Sequence, residues 1–157
     1  MRTRLVRDAI DTLALVSEVG RTGNGATVLF IGTVRDVNDG RAVSGMEYRA
    51  YEAMAARELS DIANEAAERF GTPDIVIEHR LGELKLGDAS VAIAVAHPHR
   101  GQAYDANRYV IEQLKKRVPI WKLEHYVDGS REWVGAESAA SSGVDALNVL
   151  TGAKDSR

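Results

Sequence analysis

Two lysines flank a proline in the segment 114–124, where four cationic side chains lie within eight residues. Pro119 disfavours helical geometry at Val118, which predicts that a helix ends there and that a strand follows. Lys115 then lies on the last helical turn and Lys122 at the start of the strand, so a tight turn can bring both amines to one pocket. Neighbouring ammonium groups disfavour each other's charge, and such a lysine can act as a nucleophile or as a general acid and base. The alternative is a solvated basic helix end that complements the helix dipole.

Further cationic side chains stand where predicted strands end. Arg35 follows the strand predicted for 26–34, and His99-Arg100 follows the strand predicted for 90–97 and precedes a helix. Binding residues often stand at such junctions, held by rigid elements, and a helix start offers free N–H groups to an anion. Arginine supplies a planar fork for phosphate oxygens and lysine a mobile point charge. The cations predicted to hold a phosphorylated small molecule together are Arg35, His99, Arg100, Lys115 and Lys122. The alternative for Arg35 alone is an ordinary surface charge.

Composition excludes several other chemistries. The 157 residues include no cysteine, which removes disulfides, thiolate metal ligands and cysteine nucleophiles together. His97-Pro98-His99 is reminiscent of a metal site, but no nearby carboxylate completes a ligand set, so no metal is predicted. The net charge of −3 gives no general reason to expect a nucleic acid partner. We find no apolar run that would span a membrane and no apolar core of a signal peptide, so we expect a cytoplasmic protein.

The elements that must position these residues follow an α+β order. Hydrophobic residues make up 45% of the chain, enough for the core of one domain. Strands are predicted at 4–7, 26–34, 43–51, 74–80, 90–97 and 132–134, and from 120 up to a turn at 126–131, and helices at 10–19, 52–70 and 103–118. Consecutive strands joined as hairpins distinguish this order from a doubly wound sheet. We expect one domain over 1–136 and a tail over 137–157 that is a short helix or disordered.

Several local features carry their own predictions. The strand 26–34 has apolar residues on both faces, which predicts burial on both sides. Residues 36–41 form a polar loop with a turn signal, which we expect to be mobile and to become ordered when substrate binds. The segment 43–51 is predicted to be its return strand. Trp121 and Trp133 are predicted as core residues, and the charges of the helix 52–70 as a solvated face.

A set of motifs in a fixed order resembles one protein family. Its first part is Phe30-Ile31-Gly32-Thr33-Val34-Arg35, followed by the segment from Tyr48 to Ala55. The remaining motifs are His79-Arg80-Leu81-Gly82-Glu83-Leu84, His99-Arg100, Leu114-Lys115 and Pro119-Ile120-Trp121-Lys122-Leu123-Glu124. Two lysines seven positions apart around Pro-x-Trp are the most specific part. On these residues the chain resembles the large, catalytic subunit of molybdopterin synthase (the MoaE type).

The resemblance implies a fold, a reaction and partners. The fold would be of the α/β hammerhead type with additional antiparallel strands. The reaction would be that of a sulfurtransferase of molybdenum cofactor biosynthesis, which converts cyclic pyranopterin monophosphate to molybdopterin by installing a dithiolene, without a cofactor. The sulfur would come from the C-terminal Gly-Gly thiocarboxylate of a small ubiquitin-like subunit. The assembly would be a heterotetramer, with a homodimer of this chain at its centre.

The resemblance also implies roles for individual residues. Lys115 and Lys122 match the catalytic lysines, and both would contact substrate together with Arg35 and the pair His99-Arg100. Glu124 matches a substrate-binding position beside Lys122. Whether Arg35 acts across the dimer stays open. The alternative function is a non-catalytic dimeric module that binds a ubiquitin-like tail or a phosphorylated metabolite, and the presence of both lysines favours the enzyme.

Overall fold

The computed structural model describes residues 1–134. Residues 135–157, which contain the predicted tail, lie outside the described residues. The described strands are β1 (Arg2–Val6), β2 (Ala26–Thr33), β3 (Val37–Asn38), β4 (Arg41–Ala50), β5 (Ile75–Arg80), β6 (Gly82–Leu84), β7 (Ala89–His97), β8 (Ile120–Tyr126) and β9 (Arg131–Val134). The described helices are α1 (Thr12–Val19), α2 (Glu52–Phe70) and α3 (Arg100–Arg117). This mixture confirms the predicted α+β class.

The first sheet has the strand order β1-β5-β7-β2, and its β1–β5 pair is parallel while the other pairs are antiparallel. Alternation along β7 explains how helices cover both faces. Val91, Ile93 and Val95 join the large core under α2 and α3. The alanines between them pack with Leu15 and Val19 of α1 on the other face. The small side chains permit the close helix packing that the sequence predicted.

The helix ends follow local rules that are visible in the sequence. Gly71 ends α2 with a left-handed φ of 70°, a conformation that glycine adopts without strain. Val118 is extended, with φ −75° and ψ 124°, so α3 ends where Pro119 requires. The helix α3 begins at Arg100, earlier than predicted. His99 occupies the N-cap position without a capping side-chain bond. The sequence therefore contains no capping signal from which this start could be predicted.

The second sheet has the order β3-β4-β8-β9, and β6 also pairs with β4. The predicted return strand is real, but it pairs with β8 and β6, whereas β2 pairs with β7 in the first sheet. The segment 36–41 was predicted to be a mobile loop. In the structure it contains the strand β3 and the tight turn of the β3–β4 hairpin. Its turn residues Asp39 and Gly40 have φ values of 47° and 76°, as primed hairpin turns require.

Two predictions of burial are wrong. Ile31 is 40% exposed because β2 is an edge strand and the short helix α1 packs against Leu29 only. Trp133 is 44% exposed on the last strand of the second sheet, where the guanidinium of Arg49 lies 5.3 Å from the ring centroid. Within residues 1–134, no helix combines the length and the apolar character that crossing a membrane demands.

Candidate functional site

Strand register places Arg35 and the lysine-bearing end of α3 toward the same end of the strands of the first sheet. In the β2–β7 pair, Ala26 lies opposite His97 and Thr33 lies opposite Ala89. The helix α3 starts beside His97 and returns across both strands, since Asn107 in its middle donates to the carbonyl oxygens of Val28 and Ile93. Its last turn therefore lies toward the end of β2 from which Arg35 emerges. We call the set Arg35, Lys115 and Lys122 the lysine cluster.

His99 and Arg100, which we call the histidine cluster, lie at the opposite end of the same helix. Arg100 opens α3 and Lys115 lies in its last turn. At 1.5 Å per residue, their Cα atoms are roughly 22 Å apart along the helix axis. That distance exceeds the reach of the two side chains. The sequence predicted that all five cations hold one small molecule together. One protomer alone does not bring them into a single pocket.

Within the lysine cluster, Lys122 is held by a buried carboxylate. Glu124 is 0% exposed, and its Oε1 lies 3.0 Å from Nζ of Lys122. This Oε1 has no bond of hydrogen-bond geometry, so the contact with Lys122 is an ion pair. The nearest charged partner of Lys122 is thus a carboxylate and not a second lysine. Lys115 is exposed beside the buried Leu114.

The other oxygen of Glu124 connects the ion pair to Arg35. Oε2 accepts hydrogen bonds from Nδ2 of Asn38 at 2.9 Å and from the Tyr126 hydroxyl at 2.8 Å. Oδ1 of Asn38 in turn accepts a long bond of 3.4 Å from Arg35. Burial raises the pKa of Glu124, but the polar contacts with Lys122, Tyr126 and Asn38 together hold that pKa below its usual value. The carboxylate is therefore charged, and its predicted contact with substrate stays a prediction.

An ion-pair network fixes the last turn of α3, which carries Lys115. Arg117 donates to both carboxylate oxygens of Glu65 at 2.6 and 2.9 Å and also binds Glu58. The Tyr109 hydroxyl donates to Glu65 at 2.8 Å. Hydrogen bonds from Arg117 and then from Tyr109 lower the pKa of Glu65 from 4.5 to about 2. These acidic residues were predicted to lie on a solvated face; they stay partly exposed, but they also form ion pairs with α3 that the prediction did not include.

The histidine cluster is open to solvent, and a buried neighbour fixes its backbone. His97 is 7% exposed, and its Nδ1 accepts the backbone N–H of His99 at 2.9 Å. His99 and Arg100 are exposed at the start of α3, whose first turn has no acidic residue. A helix start of this kind attracts anions. Residues 1–134 contain no group of three or more side chains placed to hold a metal.

A cleft of about 630 Å³ lies beside Arg35, and its lining residues are Val34, Arg35, Asp36, Val37, Leu86 and Gly87. Its volume is in the range of small-molecule sites. A second cleft of about 300 Å³ lies where β4, α2 and β6 meet and contains Tyr48. Tyr48 pairs with Lys122 across the sheet, so their side chains share a face. Of the lysine cluster, Arg35 thus lines the larger cleft, and the cross-strand neighbour of Lys122 lines the smaller one.

Sequence reasoning missed Asn38, Tyr126 and Arg117. Asn38 lay in the segment predicted to be a mobile loop, where a polar residue carries no positional signal. Tyr126 shares the face of Lys122 and Glu124 by strand alternation, and that pattern was the available signal. Arg117 is one of the four cationic residues of the segment 114–124, and only the packing of α3 on α2 shows its partners.

Sequence comparisons identify relatives across most of the chain. A family model described as MoaE protein matches residues 5–117. The molybdopterin synthase catalytic subunit of Bacillus subtilis is 42% identical over 134 residues, which cover 85% of each protein. That of Halalkalibacterium halodurans is 39% identical over 141 residues, which cover 90% of each.

Solved structures agree with the sequence relatives. Molybdopterin synthase from Staphylococcus aureus matches with a TM-score of 0.76 at 39% identity, covering 82% of this chain and 93% of that one. A protein–protein complex of subunits 1 and 2 of the molybdopterin-converting factor from Helicobacter pylori contains a chain that matches with a TM-score of 0.69. At 24% identity, that second match shows the fold alone.

Proposed function

Because this chain belongs to the MoaE family, whose named relatives are molybdopterin synthase catalytic subunits, we propose that it catalyses a sulfur transfer. The acceptor is cyclic pyranopterin monophosphate, and the product is the dithiolene of molybdopterin. The sulfur donor is the thiocarboxylated Gly-Gly terminus of a small ubiquitin-like subunit. A cytoplasmic location is part of the same proposal.

The observation that carries the proposal is the ammonium of Lys122, held 3.0 Å from a fully buried carboxylate that Asn38 connects to Arg35, which lines the cleft of about 630 Å³. Both the phosphate of the acceptor and the thiocarboxylate of the donor are anions. Fixed cations bind both, and they stabilise negative charge that develops when sulfur attacks. Lys115, exposed on the adjacent helix end, acts as an acid and base or stabilises the intermediate. The chain has no thiol of its own, so the sulfur is imported.

The separation of the two clusters gives the proposal a quaternary part. If all five cations act on one substrate, the histidine cluster of one protomer must meet the lysine cluster of a second. A symmetric dimer places two such composite sites on one assembly. The proposed heterotetramer has this dimer at its centre and one small subunit at each end. The partner protomer then supplies His99 and Arg100 to the site. Arg35 acts together with Lys122 of its own protomer.

Reconstitution tests the proposed reaction. The purified chain is mixed with a thiocarboxylated small subunit and cyclic pyranopterin monophosphate, and molybdopterin is measured as its oxidised fluorescent derivative. We expect product with the wild-type chain and with Lys116→Ala, a control that removes an exposed amine from the same helical turn. We expect at least about a hundredfold less product with Lys115→Ala, as for loss of a group that acts only in the transition state. Equal activity of both variants would refute the role of Lys115, and a stable complex without product would favour the non-catalytic module.

A further inference from the structure

Asn38 connects Arg35 to the ion pair of Glu124 and Lys122. Neither the resemblance nor the proposed reaction gives this asparagine a role. Its Nδ2 donates to Glu124 at 2.9 Å, and its Oδ1 accepts from Arg35 at 3.4 Å. A side-chain amide carries a donor and an acceptor at once. It can therefore bind a carboxylate on one side and a guanidinium on the other, which an aspartate in the same place cannot do.

The carboxylate that Asn38 contacts needs its donors because it is buried. Glu124 has no exposed surface, and a buried charge that loses a partner is strongly destabilised. Asn38 and Tyr126 both donate to Oε2, which leaves Oε1 turned toward Lys122. Two donors on one oxygen fix the rotation of the carboxylate group. The position of the Lys122 ammonium thus depends on groups that lie behind Glu124.

The hairpin that carries Asn38 is itself anchored on β8. Asn38 pairs with Arg41 beside the turn, and the guanidinium of Arg41 stacks 3.5 Å from the ring centroid of Tyr126. Arg41 also forms an ion pair with Glu132 of β9 at 2.7 Å. The backbone N–H of Val127 donates to the carbonyl of Ala42, which closes the hairpin against the next strand. Tyr126 consequently contacts both the hairpin that carries Asn38 and the carboxylate of Glu124.

We propose that Asn38 is a positioning residue, which orients the Glu124 carboxylate so that Lys122 is held in a fixed position relative to Arg35. The inference rests on the proposed function for the role of Lys122. Asn38 does not touch the reacting atoms and acts through Glu124. Glu124 is accordingly the counter-ion that holds Lys122.

The first arm of the test observes Lys122 directly and needs no turnover. The two Hε protons of a lysine have distinct NMR shifts when the side chain is held and one averaged shift when it rotates freely. In the full-length protein we expect distinct shifts for Lys122 in the wild type and an averaged shift in Asn38→Ala. Asp39→Asn is the matched control, because asparagine tolerates the positive φ of that turn position and leaves Asn38 intact. It should retain the distinct shifts.

Tyr126→Phe provides a second variant that removes the other donor to the same oxygen while keeping the ring under Arg41. We expect this variant to move the Lys122 shifts toward the average, and it replaces Asn38→Ala in the test if that variant does not fold. Distinct Lys122 shifts in every folded variant, or averaged shifts in the wild type, would overturn the inference.

The second arm uses the reconstituted reaction. We expect kcat to fall about tenfold in Asn38→Ala and to stay within about twofold in Asp39→Asn, since hydrogen bonds to charged groups are worth a factor of this order. An unchanged kcat in Asn38→Ala would overturn the positioning role. If the wild-type chain yields no molybdopterin, the proposed function fails, while the Lys122 shifts still decide whether Asn38 holds the lysine.

Discussion

Lowering the pH from 7.5 to 4.5 should destabilise this fold through one histidine, His79. The residue lies in β5 and is only 4% exposed. Its Nδ1 lies 3.0 Å from the carbonyl oxygen of Arg80, and since a carbonyl only accepts, Nδ1 carries the proton of a neutral ring. The ring packs edge-on against Tyr48 at 5.1 Å. Burial lowers the pKa of His79 from 6.5 to about 4, and the bond to Arg80 only partly offsets this.

The magnitude follows from the two pKa values. The unfolded chain binds a proton at His79 below pH 6.5, whereas the folded chain does so only below about pH 4. Stability is therefore fully present above pH 6.5 and is lost as the pH falls toward 4. At about 1.4 kcal/mol per pKa unit, the loss of unfolding free energy between pH 7.5 and 4.5 is about 2.5 kcal/mol. Glu65 and Glu124 have pKa values that are lowered from 4.5, so their contributions to the unfolding free energy are lost mainly below pH 4.5.

The assay is urea unfolding at both pH values for the wild type, His79→Gln and Ile77→Val. A neutral amide removes the titration, so the difference in unfolding free energy between the two pH values should shrink by about 2.5 kcal/mol in His79→Gln. Ile77→Val is the control, because it changes a buried side chain of the same strand without removing a titratable group, and it should keep the wild-type difference. An equal pH difference in the wild type and His79→Gln would refute the reasoning, whatever the stability of the variant at pH 7.5.

Other predictions concern the two ends of α3. Arg117→Met should reduce the unfolding free energy by about 1 kcal/mol at pH 7, a small value because its partners are partly exposed. Since the pKa of Glu65 is lowered, this contribution is present above pH 4.5 and lost below it, and Lys116→Met is the control in denaturant titrations. Gly25→Ala should cost about 1–3 kcal/mol, because the added Cβ would lie 2.6 Å from the carbonyl oxygen of Pro98. A thermal midpoint equal to that of Gly23→Ala, where nothing lies within 4 Å, would contradict this.

The secondary structure was largely predictable because its signals are local. The helix α2 matches the predicted 52–70, since apolar spacing and Gly71 mark its face and its end. Strand pairing was not predictable, because the residues of β4 pair with residues of β8 that lie seventy or more positions later in the chain. Local periodicity contains no information about such a partner.

The candidate site was predictable in its residue types but not in its assembly. The separation of Arg100 and Lys115 follows from helix rise, so the predicted helix already contained that signal. The burial of Glu124 was different, because a glutamate that follows a lysine in a strand resembles a surface pair. In the fold this glutamate is fully buried, and it accepts hydrogen bonds from Asn38 of the β3–β4 hairpin and from Tyr126.

A mixed dimer tests most directly that the reaction uses a site built from two protomers. Lys115→Ala and Arg100→Ala chains with different affinity tags are co-expressed, and tandem purification isolates the dimer that contains one of each. Each variant alone should be inactive in the molybdopterin assay. The mixed dimer should recover about half of the wild-type activity, because one of its two sites receives an intact lysine cluster and an intact histidine cluster. A mixed dimer as inactive as its parents, or full activity of Arg100→Ala alone, would contradict the account.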